Sequence, residues 1–189
     1  TLSSIPVDGF LRGLNSLLPE DLVVVGCAET RPSFHARHSA RGKRYRYLLL
    51  NQPLRCPQLA RRAWHVRGRL DSLAMAEAAA LLVGTHDFSC FRASDCTAAS
   101  PMKQLHRLTL SIQRGCPLVV IEVVGEAFLK YMVRNIVGTL VQVGLRRQPA
   151  GWAADVLLSR KRGMAGPTAP PWGLTLQQVY YDAEEVRWA

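Results

Sequence analysis

Acidic residues are scarce in this sequence. Its 189 residues carry 14 Asp and Glu against 24 Lys and Arg, a formal net charge of +10. Such an imbalance favours a polyanionic partner, with nucleic acid first and an anionic membrane surface second. A generally basic, soluble enzyme is the plainer reading. Cysteine is sparse and unpatterned. The five thiols (Cys27, Cys56, Cys90, Cys96, Cys116) are odd in number, with no Cys-x-x-Cys pair and no Cys/His set at zinc spacing. A disulfide framework and a structural zinc site are therefore disfavoured, and a reduced, intracellular chain with inert thiols is the simplest account. No apolar run approaches a membrane span, and no basic-then-apolar leader opens the chain. A glycine-rich nucleotide fingerprint, a low-complexity tract and a short repeat are also missing. The hydrophobic share of 48 % is that of a globular chain, long enough for one domain or two small ones. Because it opens on Thr1, the chain is expected to be part of a longer protein.

What is present is a mixture of helical and strand patterns. Phe10, Leu11, Leu14 and Leu18 recur at helical spacing behind Asp8, and Pro19 follows. Residues 22 to 27 are valine-rich and read as a strand, as do residues 45 to 50. Residues 51 to 70 read as loop. Asp71 suits the N-cap of a helix through residue 83, with Gly84 as its C-terminal glycine. Residues 85 to 103 read as irregular. Strands over 106 to 113 and 118 to 124, joined by Gly115-Cys116-Pro117, form a hairpin. The clearest helix spans 127 to 143, a shorter one about 151 to 160, and a last strand 174 to 181. The class is α+β, with a mixed, mainly antiparallel sheet and helices packed on one face.

The densest chemistry lies between Phe34 and Tyr47, where Phe-His-Ala-Arg-His-Ser-Ala is followed by Arg-Gly-Lys-Arg-Tyr-Arg-Tyr. Tyr45 and Tyr47 share one strand face, with Arg44 and Arg46 on the other. Both tyrosines suit a core, and one ring equally suits stacking on an unpaired base. His35 and His38 could act in acid–base chemistry, contact phosphate or simply be solvated. Asp87 and Arg92 suit a local salt bridge. Lys130, Arg134 and Gly138 form a stripe on the apolar helix. Arg134 is either part of a solvated face or reaches a phosphate or a carboxylate from a rigid element. Gly138 would let another backbone approach.

Four ordered motifs narrow these alternatives. They are Phe34-His35-Ala36-Arg37, Lys43-Arg44-Tyr45-Arg46-Tyr47, residues 84 to 92 (Gly-Thr-His-Asp-Phe-Ser-Cys-Phe-Arg), and Phe128-Leu129-x-x-Met132-Val133-Arg134-Asn135-Ile136-Val137-Gly138. Gly13-Leu14-Asn15 and Thr168-Ala169-Pro170 fit the same pattern. Together they resemble the bacterial tRNA pseudouridine synthase A (TruA) family over essentially the whole chain. The resemblance implies the pseudouridine synthase fold. It also implies conversion of uridine to pseudouridine in the tRNA anticodon stem–loop, no cofactor, no metal, a homodimer and a cytoplasmic location. It gives Tyr45 the role of stacking on the target base and Arg134 that of pairing with the catalytic aspartate. The loop Phe34, His35, Ala36, Arg37 and His38 would contact tRNA, with Arg37 helping to flip the base. Lys43, Arg92 and Lys130 are further candidate RNA contacts.

One element of the family pattern is missing. The nucleophilic aspartate belongs to a Gly-Arg-Thr-Asp-x-Gly-Val-His loop, and Asp8, Asp21, Asp71, Asp87, Asp95, Asp155 and Asp182 all sit in other contexts. The chain is thus expected to be the C-terminal two-thirds of such an enzyme. Residues 1 to 31 would be the remnant of its N-terminal half and residues 32 to 189 the C-terminal half of the catalytic domain. Alone it is expected to be inactive. A non-catalytic, basic RNA-binding module is the alternative.

Overall fold

Alternation along β2 (Gly42–Asn51) organises the larger part of the molecule. Tyr47 and Leu49 point to one side of the sheet and are fully buried. Across the antiparallel partner β6 (Leu118–Gly125), Tyr47 pairs with Ile121 and Leu49 with Val119, so the apolar faces of the two strands coincide. The computed structural model describes residues 4–113 and 115–182, and the backbone of 186–188. These fall into two compact units, residues 42–179 and residues 1–41 with 180–189.

The larger unit is a six-stranded mixed sheet. Its order is β3 (Trp64–Val66), β2, β6, β5 (Met102–Ile112), β4 (Gly84–Asp87), and β7 (Leu174–Tyr180) also pairs with β2. Three helices cover the Tyr47 face: α2 (Ser72–Ala80), α3 (Met132–Gly144) and α4 (Trp152–Ser159). Met132, Ile136, Leu140 and their neighbours meet Tyr47, Leu108, Ile121 and Val123 in a single core. Each fully buried aliphatic side chain there contributes about 1.5–3 kcal/mol relative to exposure. A smaller cluster of Leu50, Ala63 and Leu118 sits apart from this core. The α+β class and the mixed sheet are as the sequence reads.

Several local readings need correction. Residues 51 to 70 read as loop, but they hold β3, which at three residues is too short to show a strand pattern. It runs parallel to the end of β2, and Asn51 fastens it by donating to the carbonyls of Val66 (2.9 Å) and Gly68 (2.7 Å). Within the segment read as irregular, β4 pairs with β5 as an edge strand. Helix α2 has Asp71 as its N-cap, accepting from Ala74 N at 3.2 Å, but it ends at Ala80. Bonds from Leu82 N to Ala79 O and from Val83 N to Ala80 O tighten its last turn, and Gly84 opens β4 instead. Helix α3 begins at Met132 rather than 127, because Tyr131 adopts a left-handed conformation (φ 64°). Lys130 therefore precedes the helix, and the expected stripe with Arg134 and Gly138 is not formed.

The smaller unit holds α1 (Val7–Leu17) and a two-stranded antiparallel ladder of β1 (Ala28–Thr30) with β8 (Val186–Trp188). Asp8 lies in the first turn of α1, and Pro6 occupies the N-cap. The valine-rich segment 22 to 27 forms no ladder among the described residues. Asn15 takes both of its available backbone bonds at Val24, donating to the carbonyl and accepting from the amide, each at 2.8 Å. A side chain has taken the place of a partner strand.

Candidate active site

Strand β2 separates the two tyrosines by role. Tyr47 is wholly buried, and its hydroxyl donates to Pro170 O at 2.6 Å. Burial pushes its phenol far above the usual range, while the nearby Arg134 charge pulls the other way. Tyr45 is half-buried, with its ring set edge-on to Phe128 at 5.1 Å between centroids, and burial raises its phenol too. Of the pair, one ring is core and the other retains an open surface. Lys43 lies two residues before Tyr45, on the same face of β2.

Arg134 stands in the first turn of α3, which contains no acidic residue. Its Nε donates to Ala169 O at 2.6 Å, and Ala169 N returns a bond to Arg134 O at 3.1 Å. Its two terminal nitrogens make no hydrogen bond or ion pair among the described residues. A guanidinium at a helix N-terminus adds to the positive end of the helix dipole, so this spot attracts an anion. Because Arg134 and Tyr47 bond to the successive carbonyls of Ala169 and Pro170, one short segment anchors both side chains.

That segment is held against α3 by backbone contact. A Cβ on Gly138 would fall 1.7 Å from Pro167 O, and one on Gly166 would fall 2.7 Å from Gly138 O. The close approach expected at Gly138 is made by Pro167. Beside it lies a satisfied buried polar network. Asn135 donates to Phe91 O at 2.8 Å, and its Oδ1 accepts from Thr168 Oγ1 (2.6 Å) and Arg162 Nη2 (3.1 Å). Thr139 Oγ1 donates to Asn135 O and accepts from Gly166 N, both at 2.9 Å. Such networks fix a single arrangement when every member is paired.

Before α3, Lys130 Nζ forms an ion pair with Asp95, which holds the Asp95 carboxyl below its usual range. Ala93 N donates to Lys130 O, and Arg92 Nη2 donates to Cys96 O at 2.9 Å. Arg92 thus closes its own loop. The expected pairing with Asp87 is not made, and Asp87 lies 3.4 Å from Arg160 instead.

In the smaller unit, the loop from Phe34 to His38 is strapped by Tyr181. Its ring meets Phe34 edge-on at 5.1 Å, and its hydroxyl donates to Ala36 O at 2.8 Å. His35 Nδ1 accepts the amides of Arg37 (3.2 Å) and His38 (3.3 Å), and the two imidazoles lie 4.3 Å apart. His35 is therefore engaged in shaping the loop. Arg37 is exposed, and its guanidinium has no partner among the described residues. No group of three or more His, Cys, Asp or Glu side chains among the described residues is placed to hold a metal.

Residues 78–182 match the family model described as tRNA pseudouridine synthase. The chain is 48 % identical over 177 residues to tRNA pseudouridine synthase A of Myxococcus xanthus, covering 94 % of this chain and 66 % of that relative. It is 43 % identical to the proteins of the same name from Acetivibrio thermocellus and Pseudomonas aeruginosa. Those matches cover 96 % and 95 % of this chain, and 73 % and 62 % of the relatives. This chain belongs to the tRNA pseudouridine synthase family. It spans about two-thirds of the length of the synthases it matches.

Of the candidate residues, the larger unit contains Lys43, Tyr45, Arg92, Lys130 and Arg134, and the smaller unit contains the loop from Phe34 to His38. Sequence reading overlooked the residues that support Arg134 and its surroundings. Asn135 and Thr139 were visible as two polar residues one turn apart on an apolar helix, which is a signal for a buried network. Tyr131 carried none, because nothing in its neighbours announces a left-handed tyrosine.

Proposed function

We propose that the full-length protein isomerises uridine to pseudouridine in the anticodon stem–loop of tRNA. The observation that carries this reading is the state of Arg134. Its Nε is tied to Ala169 O, while its terminal nitrogens make no hydrogen bond or ion pair among the described residues. A planar guanidinium with two unspent donors matches a carboxylate. Next to such a cation an aspartate stays ionised and nucleophilic.

In the proposed reaction the carboxylate displaces the base, and the C1′–N1 bond of uridine breaks. The freed base turns over, C5 bonds to C1′ as the bond from C1′ to the carboxylate breaks, and the hydrogen on C5 leaves as a proton while N1 takes one up. Atoms and electrons balance within the substrate, so the isomerisation calls for no redox cofactor. Tyr45 supplies a surface for the unstacked base, worth roughly 1–3 kcal/mol. Extruding that base costs a few kcal/mol, and Arg37 with its loop is proposed to hold the opened strand. Lys43, Arg92 and Lys130 are proposed to contact the RNA backbone. The reading requires an aspartate from outside these 189 residues. It also takes the protein to be a cytoplasmic homodimer. Among the described residues no helix is long and apolar enough to cross a membrane.

Tritium release from tRNA labelled at uridine C5 tests the proposal, with one tritium expected per modified site. If tRNA binds and no tritium is released at high protein concentration, the chain serves as an RNA-binding module instead.

A further inference from the structure

Four described residues other than glycine have positive φ: Arg61, Tyr131, Arg146 and Arg160. Arg160 caps the C-terminus of α4, and Arg146 follows the C-cap of α3. A left-handed residue is ordinary at those places. Tyr131 is different, because it occupies the N-cap of α3, where an extended backbone is usual. A bulky side chain in this conformation is strained, and such strain persists only where the surroundings enforce it. Its side chain makes no capping hydrogen bond. Instead the guanidinium carbon of Arg134 lies 4.6 Å from the centre of its ring. Lys130 Nζ lies 5.6 Å from the same ring and is itself held by Asp95. Tyr131 is 46 % exposed, so core packing does not explain why it is aromatic.

We propose that Tyr131 is a positioning residue that fixes the plane of the Arg134 guanidinium. The bond from Nε to Ala169 O sets one axis of that plane, and the ring beneath it removes rotation about this axis. The two terminal nitrogens then face a single direction. The proposal rests on the assignment of Arg134 to the reaction site. It adds that the left-handed turn exists to bring an aromatic face under that arginine.

The experiment uses the full-length protein with Tyr131→Gly and Tyr131→Phe. Glycine accepts the backbone conformation and removes the ring, whereas phenylalanine keeps the ring face. The first measurement is the rate at which phenylglyoxal, an arginine-specific dicarbonyl, modifies Arg134, followed by peptide mass. A several-fold faster reaction is expected in Tyr131→Gly and a near wild-type rate in Tyr131→Phe. Equal rates in all three proteins would overturn the proposal, whether or not the protein turns over. The second measurement is kinetic. Turnover in Tyr131→Gly should fall roughly 2- to 30-fold with KM little changed and Tm not lowered, and phenylalanine should recover most of the loss. Wild-type kcat in the glycine variant, or a loss that tracks a fall in Tm, would assign the residue a merely structural role and sink the idea. If the wild-type protein forms no pseudouridine, the functional reading fails, and the modification rates still decide the role of Tyr131.

Discussion

Arg134 and Tyr47 are anchored to adjacent peptide groups, the first to Ala169 O and the second to Pro170 O, each at 2.6 Å. The buried tyrosine and the half-buried arginine therefore share one backbone reference. Their fates on substitution should nevertheless differ, because only Arg134 keeps donors to spare.

Arg134→Lys should abolish most turnover in the full-length protein. A lysine cannot bond Ala169 O and still offer two parallel donors to a carboxylate. A loss of roughly 100- to 1,000-fold in kcat is expected, the size seen when one preorganised donor is removed from a reaction site. Tritium release measures kcat, and filter binding should show tRNA affinity changed far less.

Tyr47→Phe should act on stability. It strips the partner from Pro170 O in a part-buried setting, at a cost of about 1–3 kcal/mol. Urea denaturation reads this as a lower midpoint with an unchanged slope. Tyr45→Ala should instead leave the midpoint closer to wild type and cut turnover.

Gly138→Ala should be severe for so small a change. Its methyl group would overlap Pro167 O, and neither backbone can retreat without breaking the network at Asn135 and Thr139. Overpacking of this kind costs about 1–3 kcal/mol, or about 2–4 °C in Tm per kcal/mol for a chain of this size. Calorimetry should show that loss, and turnover should fall with it.

Asp95→Asn should release Lys130 and remove an acid from a surface proposed to meet RNA. Tighter tRNA binding is expected, with the slope of log K against log salt steeper by about 0.7–0.9 for the freed cation. An unchanged slope would show that Lys130 stays away from phosphate.

Acid should weaken the fold through its capped and paired carboxylates. The Asp71 carboxyl is lowered by the Ala74 amide and then by Arg146, and Asp87 is lowered by Ser89. A group whose folded pKa lies below its unfolded value stabilises the protein above the unfolded pKa. That stabilisation disappears as pH falls through the folded pKa, here below about pH 4. Asp71→Asn should flatten the dependence of stability on pH in that window, as followed by denaturation at pH 5 and pH 3.

Much of this was legible in the residues. The alternation of Tyr45, Tyr47 and Leu49 places them on one face, and Arg134 stands out on an apolar helix. Period alone could not say which tyrosine is buried, because that depends on Gly173 and Pro170, over 120 positions away. The valines of 22 to 27 promised a strand, yet Val24 bonds the Asn15 side chain, so local propensity lost to a side-chain bond. Strand β3 is too short to show a period of two. The backbone of Tyr131 is set by its tertiary surroundings and leaves no trace in composition.

The contact between Gly138 and Pro167 has a mechanical consequence. With no side chain between helix and strap, the two cannot slide past each other by the fraction of an ångström that ordinary packing permits. Arg134 and Tyr47 are thereby referred to the same two carbonyls, those of Ala169 and Pro170. Whatever docks against this group would meet side chains whose relative placement is already set by the fold.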